Sequence, residues 1–248
     1  MSAIHQLFKK DVDIPSPPAI AVRILEEVKK EENSMENLSR IISSDPALVS
    51  RILRVANSSL YGMATKVDSL QRALSVLGVD MLKNIALSFV IARNLKGFQE
   101  NGFDFDQFWK RSVTAGVAAE VLGDMIDVRG GDIFVTALLQ DIGIVIMYLC
   151  NGSDYIRVLD EKRAGSNPIE IVERNIFGFD HQEFGAIMLE RWGLPKTIYG
   201  PIGCHHKTSD IPAAYQASAG ILQISDKLSS IYHGSHNFSR KPTQNWEK

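Results

Sequence analysis

Cysteine is scarce. Cys150 and Cys204 are the only two, and no CxxC or other metal-type spacing joins them. That argues against a disulfide framework and for a reducing, cytoplasmic setting. The opening residues, MSAIHQLFKKDVDIPSPP, lack the apolar core of a signal peptide. Strand signals are nearly missing: no run shows sustained alternation, and no Asn-Gly turn links two β-branched segments, which argues against a sandwich or barrel. Excess charge is missing as well. With 27 basic and 29 acidic residues and a formal net charge of −2, nothing draws the chain electrostatically to DNA, RNA or an anionic membrane. There is no internal repeat, no phosphate-cradling glycine loop and no GxSxG elbow. Cys204 precedes His205 in an apolar run, YGPIGC, and reads as a small buried thiol.

What is present is helical punctuation. A chain of 248 residues with 45% hydrophobic content can bury a full core in one domain or two small lobes. Ser16-Pro17 opens a segment with Ile20, Ile24, Leu25 and Val28 on one face. Asp45-Pro46 opens ALVSRILRVAN, Ser69 can cap LQRALSVL up to Gly78, and Asp80 caps a longer helix. Asn57 is expected to be a buried hydrogen-bonding post beside the second of these helices. KGFQENGFD, Lys96 to Asp104, breaks the periodicity and divides an N-terminal lobe of about 14–96 from a second of about 104–232. The Phe-rich FDFDQFW that follows reads either as an exposed partner contact or as lobe packing. Asp106 starts the next helix. Asn167-Pro168, Gly178 with Asp180, Gly193 with Pro195, and Pro212 punctuate the rest. The polar tail, 233–248, is expected to fray. The predicted fold is all-α, in two lobes.

One stretch stands out. TALLQDIGIVIMYLC, Thr136 to Cys150, is apolar on nearly every side, yet holds Gln140 and Asp141 at its centre. As a membrane span it would carry a penalty of roughly 3 kcal/mol for the aspartate alone. A single buried helix is the cheaper reading. A buried carboxylate must then take a proton or find a metal, an arginine or a histidine donor. Three of the six histidines, His181, His205 and His206, lie close together further on. At a helix end the adjacent pair can converge, and with Asp141 they make a three-nitrogen, one-oxygen set suited to one divalent transition metal. Asp226 is a further candidate. Surface or capping histidines are the competing reading.

The segments FWKRSVTAGVAAEVL, ALLQDIGIVIMYL, FDHQEFGAIMLERWGLP, HH and ILQISDKL resemble, in order, the core of an HD-type metal phosphohydrolase. With IPSPPAIAVRILEEV, DPALVSRILRVANSSLYG and SLQRALSVLGVDMLKNIAL, the chain resembles the HDOD family, HD-related output domains of bacterial signalling proteins, from Ile14 to Ile231. The resemblance implies an all-helical regulatory module rather than a hydrolase. Against the catalytic HD pattern, Arg111 stands at the first histidine and Gln140 at the histidine of the His-Asp doublet, while Asp141 and Asp226 remain. Arginine has no lone pair to offer and an amide is a poor ligand. HHKTSDIPAAY also departs from the glycine, tyrosine and proline of HD-GYP phosphodiesterases.

Two accounts of the remnant follow. In one, Arg111 replaces the lost metal charge and pairs with Asp141. In the other, Asp141, His181, His205 and His206 match the second metal position of binuclear HD-GYP relatives and still hold one ion. The expected function is non-catalytic: a cytoplasmic regulatory module that binds signalling proteins or a small ligand and requires no cofactor. Its signal is expected from a separate protein or small ligand, since no receiver, kinase, GGDEF or EAL-type segment accompanies it. One alternative is a residual metal-dependent phosphohydrolase. The other is DNA binding, since ENLSRIISSDPALVSRILRVAN has the cadence of a helix-turn-helix, with Ser50, Arg51 and Arg54 on its second helix.

Overall fold

The computed structural model describes residues 19–28, 35–57, 65–79, 103–126, 133–165 and 167–234, together with 82, 86, 128 and 238. Among these residues regular structure is helical and there is no strand. The first helices are α1 (Ala19–Val28), α2 (Met35–Ser43), α3 (Pro46–Ala56) and α4 (Leu70–Val79). α2 buries Leu38, Ile41 and Ile42, and α3 buries Leu48, Ile52 and Ala56, the three- and four-residue spacing of an apolar stripe. The predicted caps are in place. Asp45 Oδ1 accepts from the Leu48 N–H, and Ser69 Oγ from the Arg72 N–H, each at 3.3 Å. Gly78 takes the left-handed conformation, φ 77°, where the helix was expected to stop.

Asn57 is a post, but an exposed one. Its amide accepts from the Val67 N–H at 2.8 Å and donates to the carbonyls of Val67 and Leu53, both at 2.7 Å. A side-chain amide can satisfy a loop's backbone groups from the surface, so the role does not require burial. The Asp80 cap and Lys96–Gly102, most of the expected joint, lie outside the described residues.

The remaining helices are α5 (Phe105–Met125), α6 (Ile133–Leu139), α7 (Ile142–Asn151), α8 (Ser153–Ala164), α9 (Ile169–Phe177), α10 (His181–Arg191), α11 (Lys196–Ile202) and α12 (Gln216–His233), the last preceded by a 3₁₀ turn at Ala213–Tyr215. α5 starts earlier than expected because Asp104, not Asp106, caps it, accepting from the Gln107 N–H at 3.0 Å. α6 and α12 pack on α5, while α7 and α11 pack on α10.

Two expectations are corrected. The apolar run is not one helix but two, α6 and α7, broken at Gln140-Asp141. At the break the Gln140 N–H reaches the Ala137 carbonyl at 3.4 Å and the Ile144 N–H the Asp141 carbonyl at 2.9 Å, both three-residue bonds. Ile133–Asn151 is the one stretch among the described residues long and apolar enough to cross a membrane, and 89% of it is buried against protein. The tail is not wholly frayed either. Phe238 is 0% exposed, its ring centroid 5.5 Å from Phe103 and 5.3 Å from Phe108, and its carbonyl accepts from the Asp104 N–H. An aromatic side chain buries enough apolar area to hold an otherwise polar segment down. Phe103, Phe105 and Phe108 are themselves buried, which favours the packing reading of the Phe-rich stretch.

α7 crosses α10 at two glycines. A methyl group on Gly143 would lie 2.0 Å from the His181 carbonyl oxygen, and one on Gly185 would lie 3.1 Å from the Gly143 nitrogen. Neither obstacle is a side chain that could move. Gly143→Ala is therefore expected to destabilise by about 2–3 kcal/mol by overpacking. Gly220→Ala, where nothing lies within 4 Å, is the matched control; urea unfolding of both checks this.

A half-buried acid on α5 adds a pH dependence. Burial, then the nearby Asp124 carboxylate, raises the Glu120 pKa from 4.5 to about 7, and its Oε2 makes no hydrogen bond. The folded state therefore holds this proton more tightly than the unfolded chain does. Glu120 favours folding below pH 4.5 relative to higher pH, and that contribution is lost as pH rises through about 7. Glu120→Gln should raise the melting temperature at pH 8 and leave it nearly unchanged at pH 5.

Candidate metal centre

The break between α6 and α7 is what places Asp141. Its carboxylate stands at the start of α7 inside the core, and the glycine crossing brings α10 against it. His181 is the first residue of α10, because Gly178 (φ 81°) ends α9 in the left-handed conformation and Asp180 caps α10. Asp180 Oδ1 accepts from the Glu183 N–H at 3.0 Å, and Oδ2 takes the Arg174 guanidinium at 2.6 Å. Burial works against the Asp180 carboxylate, but His181 and the donors around it hold its pKa below the ordinary value. His205 and His206 follow the end of α11 in a turn, so the adjacent pair converges as expected, with ring centroids 4.0 Å apart. The backbone N–H of His206 is anchored on Gln182 Oε1 at 3.1 Å.

The four side chains meet. His181 Nε2 and His205 Nε2 are each 3.5 Å from Asp141 Oδ1, and His181 Nε2 is 3.0 Å from His206 Nε2. One ligand atom from each lies within 4.8 Å of all the others. Ligands around a single tetrahedral zinc with bonds of about 2.0–2.1 Å stand roughly 3.3 Å apart, close to these spacings.

The hydrogen bonds behind the rings agree. His205 Nδ1 lies 2.7 Å from the Ile202 carbonyl oxygen, which can only accept, so Nδ1 carries the proton. Its buried Nε2 makes no hydrogen bond and lies 3.5 Å from Asp141 Oδ1. His181 Nδ1 lies 2.6 Å from Glu173 Oε2. Burial disfavours its imidazolium, but Glu173 and then Asp141 outweigh that and raise the His181 pKa well above the ordinary value. A buried group of one aspartate and three histidines that can hold a metal ion is the result. Binding would displace a proton, as ligand imidazoles require.

Arg111 pairs with the second remnant aspartate. One of the two accounts set it against Asp141; its guanidinium donates to Asp226 Oδ1 at 2.9 Å and to the Gly234 carbonyl, and lies over Phe238 at 5.6 Å. Arg111 and Asp226 sit on α5 and α12, whose packing sets them side by side. Close by, Gln107 Nε2 donates to the His233 carbonyl at 3.1 Å and Thr114 Oγ1 meets His233 Nε2 at 2.8 Å. Asp226 thus stands in an ion pair with Arg111, and Asp141 stands beside the histidine cluster. Gln140 is buried beside Asp141, and its Oε1 makes no hydrogen bond.

The sequence reading missed Glu173. It was nonetheless visible: Ile169, Val172 and Ile176 form the apolar stripe of α9, and Glu173 falls on that same face. An acid on a buried stripe is the anomaly to follow.

Fold and cluster together define a helical protein of the HD-related class. The HDOD domain family model matches residues 14–208, and the chain belongs to that family. It is similar to an HDOD domain protein of unknown function from Geobacter sulfurreducens, with a TM-score of 0.81 at 22% identity, covering 98% of this chain and 82% of that one. It is also similar to a presumed phosphohydrolase from Shewanella amazonensis SB2B, with a TM-score of 0.76 at 20% identity, over 93% and 81%. An uncharacterised protein of Treponema pallidum (strain Nichols) is 24% identical over 234 residues, 93% of this chain. This chain spans 45% of that relative's length.

The ion pair can be tested directly. Asp226→Asn removes the carboxylate charge paired with the buried Arg111 and should destabilise by about 3 kcal/mol. Replacing both, Arg111→Met with Asp226→Leu, should recover part of that loss, as a double-mutant cycle in urea would show.

Proposed function

We propose that this chain is a non-catalytic regulatory module that acts by binding, with Asp141, His181, His205 and His206 holding one divalent transition metal at its core. The observation that carries the reading is the Arg111–Asp226 pair. Where the catalytic HD pattern places ligands, this chain has a guanidinium bonded to the second aspartate and an amide at Gln140. A cation that cannot be displaced by a metal occupies that half of the site. One ion held by four protein groups can supply Lewis acidity, but its evident role here is to neutralise Asp141 and tie α7, α10 and the turn after α11 together. A change in metal occupancy would act on all three elements at once. Partner proteins or a small ligand would read that state, in a reducing compartment consistent with the two free thiols. The cluster itself favours a second reading, a residual metal-dependent phosphohydrolase.

Elemental mass spectrometry of tag-free protein tests both. About one transition metal per chain is expected, lost in His205→Ala, with no turnover of nucleotides or phosphodiesters by the metal-loaded protein. No metal in the wild type would sink the metal centre. Metal-dependent hydrolysis that disappears in His205→Ala would replace the regulatory reading with the enzymatic one.

A further inference from the structure

Beside the cluster lies a buried acid that none of the foregoing explains. Glu173, on α9, is 0% exposed, and both of its oxygens are engaged. Oε2 accepts the backbone N–H of His181 at 2.9 Å and lies 2.6 Å from that residue's Nδ1. Oε1 accepts the hydroxyl of Tyr155, itself fully buried on α8. A carboxylate taken out of water needs donors on both oxygens, and here two of three come from a single residue.

A staple between α9 and the start of α10 would need only the backbone bond. The ring contact adds something a staple does not require. With Nδ1 held on Glu173, the His181 imidazole cannot turn about its ring axis, and Nε2 faces inward, 3.0 Å from His206 Nε2 and 3.5 Å from Asp141 Oδ1. The neighbouring rings are set differently. His205 is oriented by a neutral carbonyl, and His206 is anchored through its main chain on Gln182. At His181 a carboxylate stands behind the ring, where at His205 a neutral carbonyl does. That arrangement both fixes an imidazole and strengthens it as a ligand.

We infer that Glu173 is a positioning residue of the metal centre: it holds His181 with Nδ1 protonated and Nε2 directed into the cluster, and Tyr155 holds Glu173 in turn. The role rests on the metal-centre reading proposed above. The orientation of the ring does not.

Metal-free wild type, Glu173→Gln and Tyr155→Phe serve as the test. Each is titrated with Co2+ and followed by its visible absorption, and long-range 15N–1H NMR of the same samples reports the His181 ring. In the wild type the Nδ1–H signal should persist from neutral to alkaline pH. Glu173→Gln should shift or lose it, change the Co2+ bands, and weaken Co2+ binding by about 10- to 100-fold. Tyr155→Phe should act in the same direction and less strongly; it keeps the carboxylate and the aromatic ring, so it stands as the test if Glu173→Gln does not fold. A wild type whose His181 Nδ1 is bare overturns the inference, and so do variants that match it in both signal and affinity. A wild type that takes up no Co2+ overturns the metal centre itself, and with it the role given to Glu173 there.

Discussion

The structure is organised by the presence of carboxylates in an apolar core. Asp141 lies in the middle of a run whose other side chains are nearly all hydrocarbon, and Glu173 is buried on the neighbouring face. A carboxylate in such surroundings without donors or a cation is unfavourable by several kcal/mol. The helix break at Gln140-Asp141, the side-chain-free crossing at Gly143 and Gly185, and the caps that start α10 at His181 all bring cationic or donor groups to those oxygens. Remove any of them and the charge is left where water cannot reach it.

The same requirement is met a second time, and differently, at Asp226. Asp226 is neutralised by Arg111, a partner that stays charged at any ordinary pH and has no lone pair to give a metal. Asp141 is surrounded by imidazoles, which can hold either protons or a metal ion. One acid is therefore balanced permanently and the other conditionally. That asymmetry is the physical basis of the regulatory reading proposed above: the permanent pair stabilises, and the conditional cluster can change state.

The aromatic seam connects these centres to the rest of the molecule. Phe238 packs on Phe103 and Phe108, Tyr148 packs on Phe103 and Phe105, and Arg111 lies over the Phe238 ring. Phe238 is thus held against the start of α5, next to the Arg111–Asp226 pair. Dispersion and area burial keep the pair dry, and the pair in turn fixes the register of α12 on α5.

Much of this was legible in the sequence, for reasons of local chemistry. Proline, glycine and capping residues act within a few positions of themselves, so Asp45, Ser69, Gly178 and Asp180 could be read as helix boundaries directly. Residue type alone made Asp141, His181, His205 and His206 one candidate set, since few side chains can sit beside a buried carboxylate. Partner choice was a different matter. Arg111 was set against Asp141 in one account, and only the packing of α12 on α5 brought Asp226 to its guanidinium. The helix break depended on backbone bonds that composition does not reveal, and Phe238 was hidden in a polar tail whose fate hinged on distant rings. Glu173 was written on an apolar stripe, but its meaning needed Tyr155 and His181 to arrive from two other helices. The sequence by itself determined the helices and the chemistry available; the tertiary structure decided which charges meet, because ion pairs and ligand sets form between residues that only packing brings within a few ångströms.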